Sequence, residues 1–316
     1  MRRLIGTAAS TLVLATIPMA CGAWGDAGHM MIAAIAWSRM NAVARAEAAH
    51  LLAAPGYAGN ANLNFLDASY WADQVRRQPG FHWSAPLHFV DYPFSGDGSP
   101  TPRDLPAPHN IVTALPPLVA ILSSHTTSDA EKAEALRFVI HFVGDIHQPL
   151  HCATRVTAAH PEGDRGGNDF WVAIPGYRGR VRHIRLHAWW DEGLGDFPPN
   201  GSHGAAPAAS TIQSAAAAIV RQFPPAAGGW AAGGPYNYSA WAHESFDIAR
   251  TEVYAGLVEE APVPAGYAPA SIAIARRRIA WAGYRLAALL NAIWPSHGTA
   301  RSKTQSPAHR KAGRRA

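Results

Sequence analysis

The sequence predicts a mostly α-helical protein, a single compact domain carrying one small β-hairpin. Three observations predict it. Apolar residues recur three and four apart over long stretches, as on the buried face of a helix. Helix-start chemistry stands where such stretches begin, as in Ser128-Asp129-Ala130-Glu131, a capping-box signature. Two short β-prone runs flank a Pro-Gly turn at one place, around residues 170–184.

Taken in order, the chain opens as a secretory signal. Arg2 and Arg3 precede a mostly apolar run over 4–19, and Cys21-Gly22-Ala23 offers small residues for cleavage. Residues 1–23 are therefore expected to be a signal peptide, Trp24 the first mature residue, and the protein periplasmic or secreted. A lipid anchor at Cys21 fits the preceding Pro18-Met19-Ala20 poorly. A helix is expected over 28–52, with Met30, Ile32, Ala34, Ile35 and Trp37 inside, Arg39, Arg45 and Glu47 outside, and His29 in its first turn. A second is expected over 64–77, carrying Trp71-Ala72-Asp73. Leu87-His88-Phe89-Val90-Asp91-Tyr92 alternates and is expected to be extended. Residues 95–108 form a Gly/Pro/Asp loop, and helices follow over 110–123 and 128–148, the latter ended by Pro149. The hairpin pairs 170–174 with 180–184. Beyond it come a helix over 186–192, a loop over 196–208, and helices over 211–223, 239–258 and 269–294. No repeat or linker divides the chain, so residues 24–295 are expected to be one domain. Residues 296–316, rich in Ser, Lys and Arg, are expected to be a disordered tail.

Composition narrows the function. With 48% hydrophobic and 16% charged residues, the chain can bury a sizeable core. The formal charge of +5 comes from its ends: without two leader arginines and six basic tail residues, 19 basic face 22 acidic residues, about −3. Such a body does not advertise the basic surface of an ordinary nucleic-acid binder; bound dications would reverse its sign locally. No run after the leader is long and apolar enough to span a bilayer, so no membrane insertion is expected. Of two cysteines, Cys152 alone remains after cleavage, which excludes an intrachain disulfide and leaves Cys152 as a small buried residue.

The chemistry-bearing residues fall in four clusters: Trp24 with His29, Asp73 with His88, His141 with Asp145 and His151, and His187 with Asp191. His141 and Asp145, four apart, share one helix face, and His151 lies just past Pro149. Phe138, Val139, Ile140, Phe142 and Val143 surround them, and polar groups in such company need a partner. A divalent metal and a core of hydrogen-bonded histidines both fit this stretch alone. Four clusters of imidazole and carboxylate without thiolate suit catalytic zinc better than a structural site. His147 falls off the ligand face by spacing and is expected to pack or support.

Several motifs in order now carry a resemblance. They are Trp24-Gly25 with Gly28-His29; Trp71-Ala72-Asp73 with Arg76; Leu87-His88-Phe89-Val90-Asp91; His141 through Asp145 to Gln148-Pro149-Leu150-His151; Gly166-Gly167-Asn168; Leu186-His187 with Asp191; Trp241 with Glu244-Ser245; and Arg285 with Asn291. The chain resembles the zinc-dependent family of fungal single-strand-specific nucleases and plant bifunctional endonucleases, in a disulfide-free, bacterial-type form. The resemblance implies the helical fold shared by zinc phospholipase C and single-strand nucleases. It implies hydrolysis of single-stranded DNA and RNA to 5′-nucleotides, 3′-nucleotidase action on nucleotides with a 3′-phosphate, and no obligate protein partner. It also implies three zinc ions (Zn2+): one on Asp73, His88, His141 and Asp145; one on the Trp24 amine and carbonyl, His29 and a bridging Asp145; one on His151, His187 and Asp191. Asp73 and Arg76 become the candidate catalytic pair, Arg76 bracing transition-state charge from the face Asp73 turns inward. Phe89 would stack on a base whose edge Asp91 and Asn168 would read, which demands an unpaired strand. Read without the family, Phe89 is a core residue and Asp91 a turn former. The stretch between His151 and His187 is longer than usual, so residues 159–165 are expected to reshape the cleft. Zinc phospholipase C is the competing enzyme; against it stand the short spacing from Trp24 to His29, Asp rather than Glu at position 191, and no amphipathic membrane-binding stretch. A zinc-storage protein would need neither Arg76 nor the Asp91 and Asn168 pair.

Overall fold

Asn41 interrupts the long helix expected over 28–52. Its side chain accepts the Ala44 N–H at 2.9 Å and caps a new helix, so the computed structural model has α1 (Asp26–Arg39) and α2 (Ala42–Leu52). The same residue donates from its backbone to Asn291 Oδ1 and from its amide to the Trp294 carbonyl, which pins the last helix to this corner. The structure describes residues 24–53, 61–201 and 204–296. The signal peptide expected over 1–23, and all but the first residue of the tail expected over 296–316, lie outside the described residues.

The helix expected over 64–77 is likewise two, α3 (Ala61–Ala68) and α4 (Trp71–Val75). The Ser69 hydroxyl and N–H both turn back to the Leu66 carbonyl, which competes with helix continuation. His88 does not lie on a strand as expected. A 3-10 helix runs His82–His88 around Pro86, and the extended chain starts only at Phe89. It leads to β1 (Pro93–Ser95), paired in parallel with β2 (Thr154–Val156), a contact between segments whose sequences are too short to announce it.

Helix α5 (Ile111–Ser123) starts at an Asn110–Thr113 capping box, and α6 (Asp129–Asp145) at the expected Ser128–Glu131 box. α6 stops three residues short of the expected 148: Ile146 to Gln148 tighten into a turn before a 3-10 segment, Pro149–Cys152. The expected hairpin forms from β3 (Trp171–Pro175) and β4 (Val181–Arg185), antiparallel with Ala173 opposite His183. Then come α7 (Leu186–Asp191), α8 (Ala209–Gln222), α9 (Tyr238–Ile248) and α10 (Tyr267–Ile293). The helix expected over 239–258 is cut at Ala249–Val253 by a π turn.

The architecture is mostly helical. α10 and α1 cross at its centre, where a Cβ on Gly283 would stand 2.6 Å from the Ile35 Cβ, so glycine lets the two backbones meet. α6 runs through the same core, and every residue from Phe138 to Asp145 is buried. Each large apolar side chain there contributes about 1.5–3 kcal/mol, which offsets the cost of holding His141 and Asp145 dry.

Candidate metal centre

Two turns of α6, one of α4, the end of the 3-10 segment and the start of α1 converge on one point. His88 Nδ1 and His141 Nε2 lie 3.0 and 3.2 Å from Asp145 Oδ2 and 3.1 Å from each other. Asp73 Oδ1 stands 3.6 Å from both nitrogens. Tetrahedral ligands about 2.0–2.1 Å from a zinc ion sit about 3.3–3.4 Å apart, the spacing found here. The second oxygen of Asp145 meets another histidine, with Oδ1 3.2 Å from His29 Nε2. Neither atom has a hydrogen-bond partner, and both are buried. Two acceptor-type atoms aimed at a shared point fit a cation between them.

His29 reaches this place because residue 144 is glycine: a Cβ there would stand 2.7 Å from His29 Nδ1. The His29 ring stacks on His141 with centroids 4.0 Å apart. Trp24 is fully buried, its ring 5.7 Å from Phe197, and Gly25 N–H donates to the Asp191 carbonyl at 2.9 Å. The chain entering α1 is thus tied between the two ends of the centre.

A second group gathers on the far side. His151 Nε2 lies 3.1 Å from His187 Nε2, which lies 3.5 Å from Asp191 Oδ2. All three side chains are buried, and Asp191 Oδ2 lacks a donor.

Carbonyls orient the rings. His141, His151 and His187 each donate from Nδ1 to a backbone oxygen, of Ser69, His88 and Gly166 at 2.7, 2.7 and 2.6 Å. That fixes the tautomer and turns Nε2 inward. The break between α3 and α4 is what frees the Ser69 carbonyl for this.

Electrostatics match the crowding. Burial, then the charge of His141, lowers the His29 pKa to about 4. Burial and His151 lower His187 to about 3. Burial alone would depress His141 as well, but Asp145 and Asp73 raise it to about 10, so without a metal it holds a proton between two carboxylates. A metal must displace that proton. Burial raises Asp191 well above the usual carboxylate range.

Arg76 lies at the mouth, Nη1 3.2 Å from Asp73 Oδ1. Phe89, expected to stack on a base, is 37% exposed beside His88. Asp91 is raised to about 6, by burial and then by Asp164. Asn168 turns its amide to the Arg165 carbonyl at 2.9 Å. Asp164, whose like charge helps push Asp91 up, is itself held by the Tyr254 hydroxyl and the Arg155 N–H. The 159–165 stretch folds back, His160 meeting Glu259 at 3.2 Å.

Sequence reasoning named Gln148, Glu244, Ser245 and Arg285 within motifs but gave them no role, and it missed Arg278. Gln148 donates from Nε2 to Asp191 Oδ1 at 2.7 Å, joining the end of α6 to α7. Beneath it, Glu244 binds Arg278 and Arg285; Arg278 donates to the His147 carbonyl, Arg285 to His147 Nε2, and Ser245 to the Ile146 carbonyl. These cap carbonyls left open where α6 stops. His147 therefore stands among the supports, as its spacing suggested. The available signal was polar residues inside apolar helices, at Arg278 and Arg285.

The chain is similar to known proteins along most of this framework. The family described as S1/P1 Nuclease matches residues 24–295. Nuclease P1 of Penicillium citrinum is 31% identical over 175 residues, 53% of this chain and 57% of that protein, so the match spans little more than half of it. Endonuclease 2 of Arabidopsis thaliana is 29% identical over 284 residues, covering 86% and 90%. Nuclease S1 of Aspergillus oryzae is 29% identical over 198 residues, 61% of each.

Proposed function

Because the chain belongs to the S1/P1 nuclease family, we propose that it is a zinc-dependent endonuclease. Its substrates are single-stranded DNA and RNA, cleaved to 5′-nucleotides, and it removes the phosphate of 3′-nucleotides. The observation that carries the reading is the divided carboxylate of Asp145, one oxygen turned to His88 and His141 and the other to His29. Asp73, His88, His141 and Asp145 would hold one zinc ion, His29, Asp145 and the main chain of Trp24 a second, and His151, His187 and Asp191 a third. Bound zinc supplies Lewis acidity, lowering the pKa of water and drawing charge from phosphoryl oxygens.

The chain's own groups do the rest. Arg76, braced by Asp73, presents a cation at the mouth, where negative charge grows on the phosphate. Phe89 offers a ring to a base, and only an unpaired base exposes a face to it. Asp91, raised to about 6, donates as an acid below that pH and accepts above it. The buried apolar wall of α6 keeps bulk water from the ligands. Family membership favours this reading over a phospholipase. The signal-like sequence over 1–23, Arg2 and Arg3 before an apolar run, supports a periplasmic or secreted site.

The test is metal content and substrate range together. Purified mature protein should carry three zinc ions, cleave single-stranded DNA and RNA, leave phosphatidylcholine intact, and lose activity on chelation. An active enzyme with one zinc or none, or one that prefers the phospholipid, overturns the reading.

A further inference from the structure

We propose that the β3–β4 hairpin is an extended-substrate subsite, binding the phosphodiester backbone of a single strand that runs past the His151, His187 and Asp191 group. The proposal rests on the nuclease reading and adds to it a place outside the metal centre.

Positive charge is concentrated there. The body between leader and tail is about −3, yet residues 178–185 hold Arg178, Arg180, Arg182 and Arg185 and no acid. Arg178, Arg180 and Arg182 are exposed, and Ile184 is the buried residue of β4. β3 lies between β4 and residues 260–263, with Glu260 N–H on the Trp171 carbonyl and Ala173 N–H on that of Ala261. β4 is therefore an outer strand. Arg182 meets Glu192 at 3.6 Å with both about half exposed, at 49% and 47%, and His183 meets Glu260 at 3.8 Å. Exposed pairs at such distances hold their charges weakly and give them up to a better partner. A phosphodiester is one, because the guanidinium fork matches its oxygens.

Position ties this charge to the centre. Arg185 directly precedes α7, which carries His187 and Asp191. Glu192 directly follows Asp191, so the Arg182–Glu192 contact brings the hairpin to the rim of that group. Arg182 lies on the order of 10–15 Å from His187 along strand and helix. That is too far for the scissile phosphate and within reach of phosphates further along the strand. Edge strands also carry charge simply to prevent pairing with other chains, and the experiment separates the two roles.

Zinc-loaded wild type and R180A/R182A are compared on a ten-nucleotide strand and on a dinucleotide, over a range of salt. Anisotropy with a phosphorothioate-linked strand of the same length reads binding directly. The variant should bind the long strand several-fold more weakly, raise KM for it at unchanged kcat, and treat the dinucleotide as wild type does. Its log K against log salt should be shallower by about 1.4, two phosphate contacts at about 0.7 each. R180K/R182K should recover much of the salt slope. Unchanged binding in the alanine variant assigns the arginines to edge protection and overturns the proposal. Equal losses on both substrates, with zinc lost, also overturn it, since the arginines would then act through Glu192. A wild type that binds the strand but cleaves nothing overturns the nuclease reading, while the anisotropy comparison still decides the hairpin.

Discussion

Replacing Asp145 by Asn keeps the shape of the side chain and removes its charge. Asp145 is fully buried, with one oxygen 3.0 and 3.2 Å from His88 and His141 and the other 3.2 Å from His29. In the chelated protein it faces the proton that His141 holds up to about pH 10. Breaking one side of a buried pair costs about 3–5 kcal/mol. His141 keeps the Asp73 carboxylate at 3.6 Å, which favours the lower figure. At about 2–4 °C per kcal/mol for a domain of this size, chelated D145N should melt about 6–12 °C below chelated wild type. The metal-bound state should suffer more. Loss of a residue that merely supports a ligand weakens metal binding about 10–100-fold, and Asp145 would serve two positions directly. After dialysis against a weak chelator, D145N should keep only the zinc of the His151, His187 and Asp191 group and show almost no turnover. Differential scanning calorimetry, elemental analysis and hydrolysis of a single-stranded oligonucleotide measure the three effects. D145N that retains three zinc ions and near-normal turnover would refute the bridging role.

Four further outcomes follow from the same geometry. Gly144→Ala puts a Cβ only 2.7 Å from His29 Nδ1, so His29 must move and one zinc should be lost while the helical circular dichroism persists. Arg76→Ala should lower kcat by about 10²–10³ with zinc content unchanged, as expected for a group that meets charge in the transition state; a change in KM alone would assign it to binding. Asp91 has a folded pKa of about 6 against an ordinary carboxyl value of 3.8, so the folded state binds more protons than the unfolded one between those values. Its cost to stability is absent below about pH 4, grows as pH rises to about 6 and stays above it, so Asp91→Asn should stabilise the protein by about 1–3 kcal/mol at pH 7 and not at pH 4, while blurring selection among dinucleotides. A chain with one extra residue before Trp24 has an amide in place of a free amine whose ordinary pKa is about 7.7–8.0; it should bind one zinc fewer and turn over slowly, and full activity with three zinc ions would remove Trp24 from the ligand set.

Local chemistry determined much of this protein directly. The Ser128–Glu131 capping box, the four-residue step from His141 to Asp145 and the β-prone runs around residues 175–179 each act over less than two turns of chain, so sequence shows them. The candidate ligand types and their order were legible for the same reason. Other features depend on partners far away in sequence. Asn41 breaks a helix that its own neighbours would continue, with Asn291 and Trp294 anchored on it. Ser69 ends α3 and in doing so supplies the carbonyl that aims His141. His88 lies on a 3-10 turn rather than a strand, and its backbone holds His151 while its ring meets His141. Periodicity cannot report a carbonyl taken by a ring 72 residues away, nor that Gly144 is glycine to admit His29. The sequence thus determined which side chains are candidates for the chemistry. Which oxygen of Asp145 faces which histidine was decided by the tertiary structure, because only packing of α1, α4 and α6 brings their atoms within 4 Å.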